Sequence, residues 1–68
     1  NPSNGDLFIE SNNPIESLKI KDFSGRVVLE MTPRKSKVHI NARQLENHFY
    51  FLSCLIKQKW VTKKIVLN

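Results

Sequence analysis

The chain has 68 residues, 40% of them hydrophobic and 25% charged, which makes one domain near the lower limit of independent folding and is too apolar for a disordered segment. Eleven Lys and Arg against six Asp and Glu give a net charge of +5, a balance that permits contact with nucleic acid or an anionic surface but bears on association rather than fold. A single Cys excludes an internal disulfide, and the longest uncharged apolar run, residues 49–56, falls far short of the roughly 20 residues a membrane span needs.

Asn1-Pro2-Ser3-Asn4-Gly5 is a turn sequence without the hydrophobic region of a signal peptide. With no initiator Met, the expectation is a piece of a longer chain. Leu7-Phe8-Ile9 reads as a first short strand, and Ser11-Asn12-Asn13-Pro14 as a second turn cluster. Over residues 15–21, Leu18 and Ile20 alternate with Lys19 and Lys21, the period of a half-buried strand. Asp22-Phe23-Ser24-Gly25 is a reverse turn with Gly where a positive φ is wanted. Residues 26–31 resume alternation, with Val27, Leu29 and Met31 on one face and Val28 and Glu30 on the other, so the two runs predict a hairpin.

Residues 32–37 form a polar, basic connector containing Pro33, and Val38-His39-Ile40 a brief strand. The next stretch has two readings. Leu45, Phe49, Leu52 and Ile56 make a helical stripe, with Asn41 as N-cap and Gln44 completing a capping-box pattern. Against it, Phe49-Tyr50-Phe51 prefers a strand, while Trp60-Val61-Thr62 and Ile65-Val66 are strand-like. Periodicity favours strand and leaves the helix open. The basic runs, Arg34-Lys35-Ser36-Lys37 and residues 57–64, fit lysine protecting turns and edge strands against unwanted pairing.

No residue pattern demands catalysis or a cofactor. His39 and His48 have no Cys or carboxylate at metal-ligand spacing, no Ser sits in a nucleophile elbow, and Gly5 and Gly25 lack the density of a phosphate loop. Cys54 reads as a small buried hydrophobe. If Tyr50, Leu52, Cys54 and Ile56 face the core, then Phe49, Phe51, Ser53 and Leu55 face the other way, to be covered by loops or left as an exposed docking patch.

Several segments, in order, resemble the C-terminal sorting domain of the type IX secretion system of Bacteroidetes. That family opens with a Pro-Asn-Pro-x-x-Gly turn, matched by Asn1-Pro2-Ser3-Asn4-Gly5 without the first Pro. Leu18-Lys19-Ile20-Lys21-Asp22-Phe23-Ser24-Gly25-Arg26-Val27-Val28 matches its next strand and turn, and Ile40-Asn41-Ala42-Arg43-Gln44-Leu45 the following segment. His48-Phe49-Tyr50-Phe51-Leu52 and the closing Thr62-Lys63-Lys64-Ile65-Val66-Leu67-Asn68 complete it. His48 stands where the family has Gly, Lys21 where it has Tyr, and Ala42 and Arg43 are less typical of their segment. The resemblance spans essentially the whole chain.

What it implies is an all-β, compact antiparallel immunoglobulin-like β-sandwich of about seven short strands. Residues 1–68 are then one sorting domain, in which residues 41–47 become a connector that tucks Leu45 into the core. It further implies a non-enzymatic signal joined to an upstream cargo. The parent would cross the periplasm and reach the cell surface or medium through the outer-membrane translocon, with a shuttle protein and a sortase as partners and no cofactor, metal or nucleic acid. The candidate recognition residues are Tyr50, Phe51, Leu55, Lys63, Lys64, Ile65, Val66 and Leu67, read in part through the backbone edge of a terminal strand. Pro2, Gly5, Asp22 and Gly25 are the structural turn residues. Two other readings stand beside it: a small basic nucleic-acid-binding domain built on a helix over residues 42–57, and a surface-adhesion sandwich.

Overall fold

Six antiparallel strands run through residues 5–67, the part of the chain described by the computed structural model: β1 Asp6–Ile15, β2 Ser17–Lys21, β3 Val27–Met31, β4 Lys35–Asn41, β5 Phe49–Ile56 and β6 Lys59–Val66. They form a two-stranded sheet, β1-β4, and a four-stranded sheet in the order β3-β2-β5-β6. The fold is the expected all-β sandwich of two antiparallel sheets. The described residues contain six strands rather than about seven, the number of apolar runs the sequence itself shows. Sandwich packing follows from the alternation, because each sheet has one apolar face to remove from water.

One residue joins the sheets. Ile15 ends β1, Ser17 begins β2, and between them the Glu16 N–H donates to the Leu55 carbonyl at 2.8 Å. Ile15, Leu18 and Ile20 lie around this corner without exposed surface. They pack in one core with Leu7, Val38, Ile40, Tyr50 and Leu52. The corner corrects the expectation of a strand over residues 15–21, since Ile15 belongs to the other sheet.

Three further expectations change. Ser11-Asn12-Asn13-Pro14 does not end the first strand but lies within β1, as a break in register between the Glu10–Lys37 and Ile15–Lys35 pairs. Strand β4 begins at Lys35, inside the expected connector, which shrinks to residues 32–34. Arg34 there adopts φ +57° and donates its N–H to the Ile15 carbonyl at 2.8 Å. In β3 the face assignment of the first residues reverses. Ile20 pairs with Leu29 but Lys21 pairs with Val27, so Val28 is the extra residue of a β-bulge and the alternation slips by one. Val28 packs against the core and Val27 is exposed.

The helix is not formed: residues 49–56 are strand β5, so the nucleic-acid reading loses its helical stripe and keeps only the net charge of +5. Asn41 does accept a backbone N–H, from Arg43 at 3.1 Å, but that bond opens a turn, continued by the Leu45 N–H to the Ala42 carbonyl at 3.0 Å. Leu45 packs partly buried against the core, as the connector reading expects. No helix among the described residues is long and apolar enough to cross a membrane.

The turns explain their glycines and one aspartate. Gly5 sits at φ +81°, its carbonyl accepting the Ala42 N–H at 2.6 Å, and a Cβ there would lie 2.6 Å from Arg43 Cγ. Asp22 ties the β2–β3 turn. Its carboxylate accepts the Ser24 hydroxyl at 2.7 Å, the Ser24 N–H at 2.9 Å, the Arg26 N–H at 3.0 Å and Arg26 Nε at 3.2 Å. Gly25, at φ +91°, donates its N–H to the Asp22 carbonyl at 3.0 Å. Pro2 lies outside the described residues.

These bonds, led by the Ser24 hydroxyl and joined by the backbone donors and the Arg26 charge, hold the Asp22 carboxyl down from 3.8 to about 2. A depressed carboxylate stabilises the fold fully above its unfolded value and loses that contribution as pH falls through its folded value. Urea denaturation is therefore expected to show a loss of stability between 3.8 and about 2 that is reduced in Asp22→Asn. Asp6 adds in the same direction, because hydrogen bonding to His39 Nε2 at 3.0 Å and the charge of Arg43 lower its carboxyl as well.

Candidate recognition surface

The C-terminal hairpin of β5 and β6 gathers every candidate recognition residue. Eight cross-strand pairs hold it, from Ile56–Lys59 at the turn to Phe49–Val66 at the open end, and the Leu67 N–H extends the ladder to the His48 carbonyl at 3.0 Å. The turn residues Lys57 and Gln58 have φ +50° and +66°, the two left-handed positions of a type I′ hairpin, a geometry that matches strand twist but suits Asn-Gly far better than Lys-Gln. Gln58→Gly is expected to raise stability by about 1 kcal/mol, or roughly 4–8 °C in Tm for a domain this small, as read by thermal denaturation.

On the core side of β5, Tyr50, Leu52 and Cys54 are buried and Ile56 is partly buried, the face the alternation assigns to them. The Tyr50 hydroxyl donates to the Glu46 carbonyl at 2.8 Å, which anchors the 42–48 connector to the strand that follows it. Burial, with the Glu46 charge, pushes the phenol pKa up, so the hydroxyl keeps the proton it donates. His48 stacks on the Tyr50 ring at 4.5 Å between centroids and donates Nδ1–H to the Phe49 carbonyl at 2.9 Å. It stands outside the left-handed region, so the family's Gly is replaced without backbone strain. Burial also pushes the Cys54 thiol up, away from the reactive thiolate.

The outer side of β5 carries Phe49, Phe51, Ser53 and Leu55, as expected. Its cover is side chains more than loop. Lys64 Nζ lies 4.5 Å above the Phe49 ring, and Phe23 from the β2–β3 turn approaches the same ring at 6.2 Å. Lys19 Nζ lies 5.3 Å from the centroid of Trp60, and the Ser53 and Thr62 hydroxyls bond each other at 2.9 Å. Phe51 keeps 37% of its surface exposed and Leu55 is half-buried.

The eight candidates divide by position. Tyr50 and Leu67 are buried and Ile65 packs partly buried against the core, so a partner docking on the folded domain meets the others. Phe51 and Lys64 pair across the outer face, Val66 is exposed beside Phe49, and Lys63 lies opposite Leu52 on the core-side face.

That last position marks what the sequence reading missed. Lys59, Val61 and Lys63 share the core-side face of the sheet with Ile56, Cys54 and Leu52, yet all three are exposed, Val61 by 54%. The small sheet's cover therefore reaches β6 only at Ile65, and from Lys59 to Lys64 the strand is wet on both faces. The alternation Lys59-x-Val61-x-Lys63 fits an uncovered face, since it puts lysines where a covered face would be apolar, but that this face lies core-side follows only from the pairing with β5. Strand β6 is also an edge of its sheet. In a two-residue hairpin the residues flanking the loop exchange both hydrogen bonds, and the pattern alternates from there. The N–H and C=O groups of Trp60, Thr62, Lys64 and Val66 therefore point to the free edge.

A model of the family described as "Secretion system C-terminal sorting domain" matches residues 1–68. No curated protein and no solved structure matches the chain.

Proposed function

The chain belongs to the C-terminal sorting domains of the type IX secretion system, and we propose that it acts as a folded, non-catalytic address read through the exposed part of its closing hairpin. As a sorting signal it directs an attached protein toward the cell surface or the medium. In the proposed route the parent reaches the periplasm first and the domain is recognised there by a shuttle protein and the outer-membrane translocon. A sortase then removes it, and the cargo is anchored or released.

The observation that supports the hairpin as the recognised element is its exposed apolar surface. Phe51, Trp60 and Val66 on the outer face and Val61 on the core-side face make up four of the seven large hydrophobic residues exposed among those described, all on two adjacent strands. On a domain this small, such clustering is the mark of an interaction surface rather than of scattered apolar residues. Three lysines of β6, Lys59, Lys63 and Lys64, surround it and steer an anionic partner without contributing much affinity.

The test fuses residues 1–68 to an inert reporter that carries an inner-membrane export signal, in cells with and without a working type IX system. Reporter outside the cell only in the competent strain is the expected result. Reporter held in the periplasm of both strains rejects the reading, and surface retention independent of the system points to adhesion instead. Phe51→Glu in the same fusion is expected to reduce export severalfold while circular dichroism and Tm stay near those of the parent; full export by that folded variant removes Phe51 from the recognised surface.

A further inference from the structure

The edge and the uncovered face of β6 specify the kind of partner they fit. We propose that the free edge of β6 is completed by a β-strand from another protein, one carrying acidic side chains at two positions on either side of an apolar one, in the pattern acidic-x-apolar-x-acidic. The inference rests on the hairpin being the recognised element and goes further by naming what recognises it.

Strand addition needs unpaired backbone groups in a straight run. Trp60, Thr62, Lys64 and Val66 present them, two residues apart, and no described strand pairs on that side of β6. Side chains of an added strand fall opposite those of β6, on the same two faces. On the core-side face they meet Lys59, Val61 and Lys63, which asks for acidic, apolar and acidic partners in turn. On the outer face they meet Trp60, Thr62 and Lys64, where Lys64 favours another carboxylate and Trp60 a side chain that packs flat. An added strand would cover Val61 and extend a sheet whose last strand is otherwise wet on both sides from Lys59 to Lys64.

The same lysines argue against a second copy of this chain as the occupant. Pairing β6 with itself would bring Lys59, Lys63 and Lys64 from each copy to one seam, and like charges across a strand pair are unfavourable. Inward-pointing lysines on an edge are a device by which natural sheets avoid pairing with themselves. Here they leave the edge closed to its own kind and open to a strand of opposite charge.

The experiment uses the isolated domain and two capped peptides that differ only in sign, one with Glu-Thr-Val-Thr-Glu at its centre and one with Lys-Thr-Val-Thr-Lys. Binding is followed by the fluorescence of Trp60, the single tryptophan, and by amide exchange. The acidic peptide is expected to protect the amides of Trp60, Thr62, Lys64 and Val66, and to bind on the order of tenfold more tightly than the basic one at low salt. The double variant Lys59→Glu, Lys63→Glu reverses that preference. Thr62→Pro removes an outward N–H and spares the β5 ladder, so it loses peptide binding; the charge-reversed variant decides the matter if Thr62→Pro fails to fold. Equal binding of both peptides, protection elsewhere in the domain, or no binding at peptide concentrations of about 1 mM overturns the proposal. In cells, export of the parent fusion together with normal export of the folded charge-reversed fusion rejects the acidic strand and leaves the sorting function standing. Failure of the parent fusion rejects the function itself.

Discussion

Ile20→Ala is expected to leave a large fraction of the domain unfolded. Ile20 has 0% exposure and lies on the central strand β2, between Leu29 of β3 and Leu52 of β5. Truncating such a side chain costs about 2–5 kcal/mol, because the cavity left behind collapses only in part. A domain of 68 residues has roughly 3–10 kcal/mol of total stability, so one substitution removes much or all of it. The measurement is urea denaturation followed by far-UV circular dichroism; Trp60 fluorescence is a weak probe of unfolding, since that ring is already 49% exposed in the fold. Val61→Ala is the control. It removes an apolar side chain of similar kind from a position already in water, and its effect is expected to stay within about 0.5 kcal/mol.

Deleting residues 65–68 is expected to hold a fused cargo in the periplasm, and the structure gives that loss two separable causes. Leu67 is 4% exposed, donates its N–H to the His48 carbonyl, and belongs to the core, while Ile65 packs beside Tyr50. The deletion thus removes one buried and one half-buried side chain as well as an edge, and losing the Leu67 packing alone is worth about 2–4 kcal/mol. Two substitutions separate fold from recognition. Leu67→Ala is expected to lower Tm and to lose export only as far as it unfolds the domain. Val66→Glu, at an exposed position of the same segment, is expected to keep Tm and still reduce export by replacing an exposed apolar side chain at the edge with a carboxylate. Normal surface delivery of the deleted form would show that the closing segment is not read.

Much of the hairpin was legible in the sequence because its signals are local. Alternation in Tyr50, Leu52, Cys54 and Ile56 assigns them to one face whatever the rest of the chain does, since side chains of a strand alternate by geometry alone. The polar residues between Ile56 and Trp60 are likewise a local break. The competing helical stripe of Leu45, Phe49, Leu52 and Ile56 was equally local. Residues 49–56 are a strand because β2 and β6 pair with them on both sides, and neither partner is visible within the stretch itself. At β3 the alternation misled for the opposite reason. One extra residue, Val28, exchanged the roles of Val27 and Val28, and a bulge depends on the register with β2 rather than on composition.

By itself the sequence determined the apolar face of β2, the alternation within β5, the turn at Asp22 to Gly25, and the ordered motifs whose resemblance to type IX sorting domains implied an all-β fold. Each depends on residue type and spacing along a single segment. Only the tertiary structure decided where the sandwich ends. Two strands in one sheet against four in the other leave β6 uncovered short of Ile65, so that Lys59, Val61 and Lys63 stand in water on a face that reads as inward. Coverage is a property of how many strands lie opposite, and no segment carries that number in its own residues.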